Sequence, residues 1–421
     1  MANYQSNLMQ VLTQRGFMYQ CTDESALDVA AGKGITGYIG FDCTAPSLHV
    51  GSLVQIMMLR HLQKCGGTPI VLLGGGTTKI GDPSLKDTTR PILTPELIEK
   101  NKAGIRRVFS KFIDFEGPNA AILADNAEWL DALGYIEFLR EVGPHFTINR
   151  MVTMETAKRR LENEIPMTFL EFNYPLLQSY DFVELNRRHD CALQLGGSDQ
   201  WGNIVTGVDL TRRMTGHEVY GFTTPLITTA SGGKMGKTAD GAVWLNDDPS
   251  LGKDYFKSPY DYWQFWRNTD DADVGKFMRL FTDMDLGEIA EMEALEGAEI
   301  NTAKVRLANE ATAMLHGIDA AKTAEQTART TFEQGGTAAG LPTFETPAAT
   351  LVEMSVLEAA IVVGLAASKG EGRRHIKGNA LKINDVKVES DARKLSADDI
   401  DSSGVIKISV GKKRHALIKP V

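Results

Sequence analysis

The sequence predicts an α/β protein: a parallel sheet covered by helices, then an α-helical segment, then a small α+β unit. Three observations carry this prediction. Short apolar runs alternate with helically spaced stretches up to residue 230. From about residue 250 the pattern is helical and acidic. From residue 351 it changes to short alternating runs with a basic balance. Alternation of strand and helix within a short span favours parallel strands, whose crossovers need a helix.

In chain order, "ITGYIGFD" (35–42) reads as a buried strand. "PSLHVGSLVQIMMLRHLQKCGG" (46–67) has helical apolar spacing and a Gly66-Gly67 stop. "TPIVLLGGGTTKIGDPS" (68–84) is a second strand running into a glycine-rich loop, which completes a βαβ unit. A helix-rich middle follows. "CALQLGGSD" (191–199) is a strand ending in glycines, and "QWGNIVTGVDLTRRMTG" is a helix with a glycine stop. "TTPLITT" (223–229) is a further strand leading into "SGGKMGKTAD" (231–240). "EQGGTAAGLPTFETPAAT" (333–350) is rich in Gly, Pro, Thr and Ala without periodicity, the pattern of a linker or excursion loop. The predicted boundaries are 1–230, 231–249, 250–335, 336–350 and 351–421.

No run of about 18 apolar residues is present, so no membrane span is expected. "MANYQSNLMQ" has neither a basic head nor an apolar core, so no secretory signal is expected either. Cys21, Cys43, Cys65 and Cys191 are scattered and form no Cys-x-x-Cys pair. Reduced thiols, a cytoplasmic location and no protein-held metal are the expectation. The net charge of −9 argues against wholesale nucleic-acid binding. Yet residues 351–421 hold 13 Lys+Arg against 9 Asp+Glu, net +4, leaving −13 on the other 350 residues. A basic tail on an acidic body points to one anion-binding appendage.

Gly236-Lys237-Thr238 has the ending of a phosphate-binding P-loop, but that motif needs a glycine where Ser231 stands. It must also open a helix whose amides hold phosphate, whereas Asp240-Gly241 is a turn signal and "AVWL" reads as a strand. A loop between two extended segments fits better, and a solvated basic hairpin is the plain alternative. "PSLHVGS" places His49 at the start of a helix following a strand, where free amides favour anions. A capping or surface histidine is the alternative there. Taken together, the two segments could meet over a triphosphate at the carboxyl ends of parallel strands.

"HVGS" (49–52) and "KMGKT" (234–238) resemble the His-Ile-Gly-His and Lys-Met-Ser-Lys-Ser signatures of class I aminoacyl-tRNA synthetases. "YIGFDCTAPSLHVGS", "GDPSLKDTTR", "YPLLQSYD" and "LQLGGSDQWGNI" are similar to the bacterial tyrosyl branch of that family, and the likeness runs from near residue 8 to the C-terminus. The resemblance implies a Rossmann-like catalytic domain with an inserted helical segment, a mobile signature loop (231–249), an α-helical anticodon-region domain and a small C-terminal RNA-binding domain. It implies activation of tyrosine by ATP, with Mg²⁺ bound to the nucleotide, then transfer to tyrosine tRNA by a homodimer.

The resemblance also assigns residues. Thr44, His49, Lys86, Arg90, Lys234, Lys237 and Thr238 would act on the phosphates. Tyr38 and Asp181 would read the phenol; Asp82, Tyr174 and Gln178 the ammonium; Thr77, Asn126 and Gln200 would complete that shell. Tyr174, Gln178 and Asp181 sit at i, i+4, i+7, one face of a helix. Alone, Tyr38 reads equally as a core aromatic and Asp181 as a helix-end carboxylate. Gly40, Asp42, His49, Gly51, Ser52, Gly197, Asp199 and Lys237 would meet the nucleotide. Ser52 departs from the family's second histidine and should alter ATP handling modestly. Arg373, Arg374, Lys377, Lys412, Lys413 and Arg414 are candidates for RNA phosphates. The alternatives are a tryptophan-specific synthetase, which would lack the Tyr38–Asp181 pair, and a synthetase-like RNA-binding protein without catalysis.

Overall fold

The computed structural model describes residues 4–83, 93–230, 232–233, 235–238, 241–252, 254–333, 341–351, 353–401, 403–411 and 414–421. They form two compact units, Met1–Asn246 with Gly275–Ala290, and Asp247–Val274 with Glu291–Val421. The 275–290 stretch thus belongs to the first unit, although the periodicity places it in a single helical domain with its neighbours.

The first unit is built on a six-stranded sheet: β1 (Gln20–Cys21), β2 (Thr36–Phe41), β3 (Thr68–Leu73), β4 (Ile122–Asp125), β5 (Cys191–Gly197) and β6 (Tyr220–Thr224). Their spatial order is β1-β6-β5-β2-β3-β4. All pairs are parallel except the short edge pair β1–β6. A strand covered on both faces must be apolar throughout; "TPIVLL" of β3 meets this, with Ile70 and Val71 fully buried. The last strand expected, at 223–229, is instead Tyr220–Thr224. From β2 the chain runs outward through β3 to β4, and from β5 it runs the other way to β6. The reversal lies between β2 and β5, and their carboxyl ends open a crevice there.

Two helices frame this crevice. Val50–Lys64 starts at His49, whose Nδ1 accepts from Gly51 N at 3.0 Å and caps the first turn. Phe169–His189 opens with a capping box between Thr168 and Glu171 and ends at Asp190 in the left-handed conformation. Leu176, Phe182, Val183 and Leu185 of this helix join Tyr38, Ile70, Leu72 and Trp129 in one core.

In the second unit, helices Pro259–Arg267, Ile300–His316 and Ile318–Glu333 are tied together at Asn309. Its side chain accepts from Trp263 Nε1 at 2.7 Å and donates to Glu325 Oε2 at 2.7 Å. The C-terminal part is a five-stranded sheet of Val386–Lys387, Leu381–Ile383, Ile406–Val410, Arg414–Pro420 and Thr343–Thr346, in that order. Val356, Leu357 and Ala360 pack on its Ile383, Ile406, Ile408 and Ile418. The stretch expected to be a linker therefore supplies an edge strand, Thr343–Thr346, parallel to Arg414–Pro420. Its Thr and Phe content favours a strand, but four residues beside a proline are too short to show a period.

Candidate active site

A cleft of about 450 Å³ opens at the β2–β5 reversal. Its floor is Tyr38, on β2, and Asp181, on the Phe169–His189 helix, 1% and 2% exposed. Asp181 Oδ2 accepts from Asn126 Nδ2 at 3.0 Å and Oδ1 from Trp129 Nε1 at 2.8 Å. Burial pushes the Asp181 pKa up to about 7, against the pull of these two donors. Burial and the nearby Asp181 carboxylate also hold the Tyr38 pKa well above its usual 10. The Tyr38 hydroxyl has no partner among the described residues.

Above the floor runs a polar chain. Gln200 Nε2 donates to Asp82 Oδ2 at 3.1 Å, and Gln178 Nε2 donates to Gln200 Oε1 at 3.3 Å. Asn203 donates to both glutamines, at 3.0 and 3.1 Å. Thr77 Oγ1 donates to Asp42 Oδ1 at 3.1 Å, and Asp82 N donates to Asp42 Oδ2 at 3.2 Å. Asp42 therefore braces the glycine-rich loop as well as facing the cleft. Tyr174, Gln178 and Asp181 share the cleft side of their helix. Gly40, Thr44, His49, Gly51, Ser52, Gly197 and Asp199 complete the rim.

The two signature segments meet here. Val50 N donates to Val243 O at 2.8 Å, Val243 N to Gly236 O at 3.0 Å, and Leu245 N to Leu48 O at 2.8 Å. The His49 ring packs edge-on to Trp244 at 6.0 Å. A Cβ on Gly51 would lie 2.6 Å from the His49 ring and 3.0 Å from Met235 O. The glycine is thus required by protein atoms, before any flat ligand ring is considered. The segment expected as a plain loop contains a small hairpin, with Lys237 opposite Ala242 and Thr238 opposite Gly241.

Lys86, Arg90, Lys234, Lys412 and Lys413 lie outside the described residues. Arg373, Arg374 and Lys377 share one nine-residue helix. Arg374 and Lys377 are exposed there, while Arg373 pairs with Asp391 at 2.8 Å. Arg414 is half-buried and donates to Leu365 O at 2.6 Å, a contact that holds the fold. Sequence reasoning missed Trp129, Asn203 and Gln194, all close to the site. Trp129 lies one turn beyond Asn126 and Asn203 one turn beyond Gln200, so helical spacing from assigned residues could have found both. Gln194 lines the cleft from β5 with 3% exposure, and its Oε1 has no partner among the described residues.

Among known proteins, the family described as class I tRNA synthetases (W and Y) matches residues 31–333. A tyrosine–tRNA ligase of Rhodopseudomonas palustris is 57% identical over the full length of both chains. One from Caulobacter vibrioides is 56% identical over 100% of this chain and 99% of its own. The solved C-terminally truncated mitochondrial tyrosyl-tRNA synthetase of Aspergillus nidulans is 27% identical with a TM-score of 0.68, covering 77% of this chain and 94% of that one. With the crevice, the paired signatures and these full-length likenesses together, this chain belongs to the bacterial tyrosyl-tRNA synthetase family of class I tRNA synthetases.

Proposed function

We propose that the chain is a tyrosine–tRNA ligase that binds L-tyrosine over the Tyr38–Asp181 floor and ATP along the β2–β5 rim. The observation carrying this reading is that a single cleft holds both sets of side chains, with a buried acceptor and a buried hydroxyl at its closed end. A phenol O–H donates to Asp181 and accepts from Tyr38. Phenylalanine would leave the buried Tyr38 hydroxyl unsatisfied, which costs about 1–3 kcal/mol, and Asp181 with only its Asn126 and Trp129 donors. The Tyr38–Asp181 pair also favours tyrosine over tryptophan.

The tyrosine carboxylate attacks the α-phosphorus of ATP and pyrophosphate leaves. That carboxylate is already anionic near neutral pH, so positioning and stabilisation of charge on the leaving group are what the protein supplies. Lys234, Lys237, Thr238, Lys86, Arg90, Thr44 and His49 are assigned to that charge. The dipole of the Val50–Lys64 helix favours phosphate near its N-terminus, although its first amides are held by Val243 O and the His49 ring. Asp82, Tyr174 and Gln178 hold the ammonium, with Thr77, Asn126 and Gln200 around it. Gly40, Asp42, Gly51, Ser52, Gly197 and Asp199 face the nucleoside. Mg²⁺ enters as part of the nucleotide substrate, held by its phosphates. In the second step the tyrosyl group passes to the 3′ end of tyrosine tRNA, with the exposed Arg374 and Lys377 steering the RNA.

The chain is further proposed to act as a homodimer. Tyr135, Ile136, Ile148, Leu161 and Phe169 are each more than 60% exposed within one short stretch of sequence. Surfaces of this kind favour a protein partner. The deciding experiment is amino-acid-dependent pyrophosphate exchange: tyrosine alone should support it. Exchange with tryptophan, or none, would overturn the reading. Lys237→Ala should slow single-turnover adenylate formation by roughly a hundredfold or more and leave tyrosine binding intact.

A further inference from the structure

The segment from β2 to His49 brings Asp42, Thr44 and His49 to the cleft, while Cys43 and Pro46, both buried, do not line it. Helix Pro95–Phe109 meets these two. Asn101 Nδ2 donates to Cys43 O at 2.8 Å, and Cys43 N donates to Thr78 Oγ1 at 2.7 Å. Both backbone polar groups of Cys43 are thus taken by side chains from elsewhere in the fold. One turn on from Asn101, a Cβ on Gly104 would lie 2.0 Å from Pro46 O. At the end of the helix, the Phe109 ring packs on Phe41, the residue before Asp42, with centroids 4.9 Å apart. None of Asn101, Gly104 and Phe109 lines the cleft itself. Asparagine and glycine are both poor formers of a helix interior. Asn101 is also 1% exposed, and its Oδ1 has no partner among the described residues. A leucine would fill much the same space without desolvating an amide. Helix stability therefore does not account for either residue, and their contacts with the Asp42–His49 segment do.

We infer that Asn101 and Gly104 are positioning residues for ATP, a proposal that rests on the ligase reading. They hold the Asp42–His49 segment in the shape that the nucleotide meets. The Asn101 hydrogen bond fixes the peptide between Cys43 and Thr44. The missing side chain at Gly104 sets how closely the helix approaches Pro46. Without either, the segment samples displaced positions, and ATP binds only the fraction of molecules in the right shape. The loss then falls on apparent ATP affinity and not on the rate at saturation, because bound nucleotide restores the shape. Tyrosine recognition stands apart from this helix. The Asp181 carboxylate is held by Asn126 and Trp129, which follow β4.

Asn101→Leu and Gly104→Ala test this in tyrosine-dependent pyrophosphate exchange at varied ATP. Each should raise the KM for ATP by about fivefold or more. The kcat at saturating ATP should stay within about twofold of native, and tyrosine affinity by equilibrium dialysis should not change. Ala103→Gly provides the comparison, since Ala103 is exposed on the same helix. That change weakens the helix itself, so it should lower the melting temperature and leave the KM for ATP alone. An unchanged KM for ATP in either Asn101→Leu or Gly104→Ala would overturn the proposal. So would an equal loss of tyrosine affinity in them, or the same rise in KM in Ala103→Gly, because both describe a general loosening of the unit. Absence of tyrosine-dependent exchange in the native chain would instead overturn the ligase reading itself.

Discussion

Trp129 donates its indole N–H to Asp181 Oδ1 at 2.8 Å, from a short helix that follows β4. With Asn126 on the other oxygen, it leaves the buried carboxylate anchored but still an acceptor. Trp129→Phe removes that donor while keeping an aromatic side chain in the core. Hydrogen bonds to charged groups contribute about 1.5–3 kcal/mol, so tyrosine affinity should fall by roughly tenfold or more. The KM for ATP should stay put. Equilibrium dialysis with tyrosine checks this, and an equal loss for ATP would show a general collapse of the cleft instead.

The pH dependence follows from the same carboxyl. An ordinary aspartate loses its proton near pH 4, whereas Asp181 keeps it until about pH 7. Between these values the folded chain binds one more proton than the unfolded chain. The contribution to stability is thus full below the ordinary value and lost as pH rises through about 7. Asp181→Asn removes it, so the native-minus-variant stability should decline between about pH 4 and about pH 7 in the absence of tyrosine. A bound phenol donating to the carboxylate favours its charged form. Tyrosine affinity of the native chain should therefore rise over the same window, and stay flat in Asp181→Asn. Calorimetric titrations at several pH values measure both.

Tyr38→Phe should separate stability from recognition. The hydroxyl is fully buried and finds no protein partner among the described residues. Its removal relieves a desolvated group, so the free protein should melt at the same temperature or higher. Tyrosine-over-phenylalanine preference should nevertheless shrink. A lower melting temperature with unchanged preference would make Tyr38 a core aromatic only.

Much of this cleft was legible because its chemistry is local in sequence. The i, i+4, i+7 spacing of Tyr174, Gln178 and Asp181 fixes their common face once the helix is recognised. The strand-then-glycine patterns at 68–84 and 191–199 mark two carboxyl strand ends. The contact of Gly236 with the His49 turn was different, since it depends on two segments far apart in sequence meeting in three dimensions. Local pattern favoured a free loop there and made the glycine a source of flexibility. The Thr343–Thr346 strand was hidden for the same reason, because its partner is the last strand of the chain and its own residues are few. Arg414 shows the converse: a basic cluster in sequence includes one guanidinium spent on a backbone carbonyl.

The exposed apolar stretch gives a test of assembly. Ile136 and Phe169 are each 67% exposed. Ile136→Glu with Phe169→Glu replaces exposed apolar surface by charge, with little expected effect on the monomer's own core. Sedimentation should show a shift from dimer to monomer and reduced tRNA charging. A native chain that sediments as a monomer would remove the proposed dimer.

Gly232 and Gly236 offer a controlled comparison within one loop. Both have left-handed backbones, φ +81° and +83°, so alanine strains either by about 1–2 kcal/mol. Around Gly232 a Cβ would meet nothing within 4 Å, but on Gly236 it would lie 2.5 Å from Gly51 N. That neighbour is backbone, and it also belongs to the turn capped by His49. Gly236→Ala must therefore push apart the two signature segments that Val243 stitches together. Gly232→Ala should lower stability modestly and leave adenylate formation near normal. Gly236→Ala should slow adenylate formation by about tenfold or more, since displacement of charge-stabilising groups by fractions of an ångström is costly. Single-turnover rates at saturating tyrosine and ATP decide it, and equal rates in the two variants would mean that backbone strain alone, not the contact with Gly51, sets the loop's behaviour.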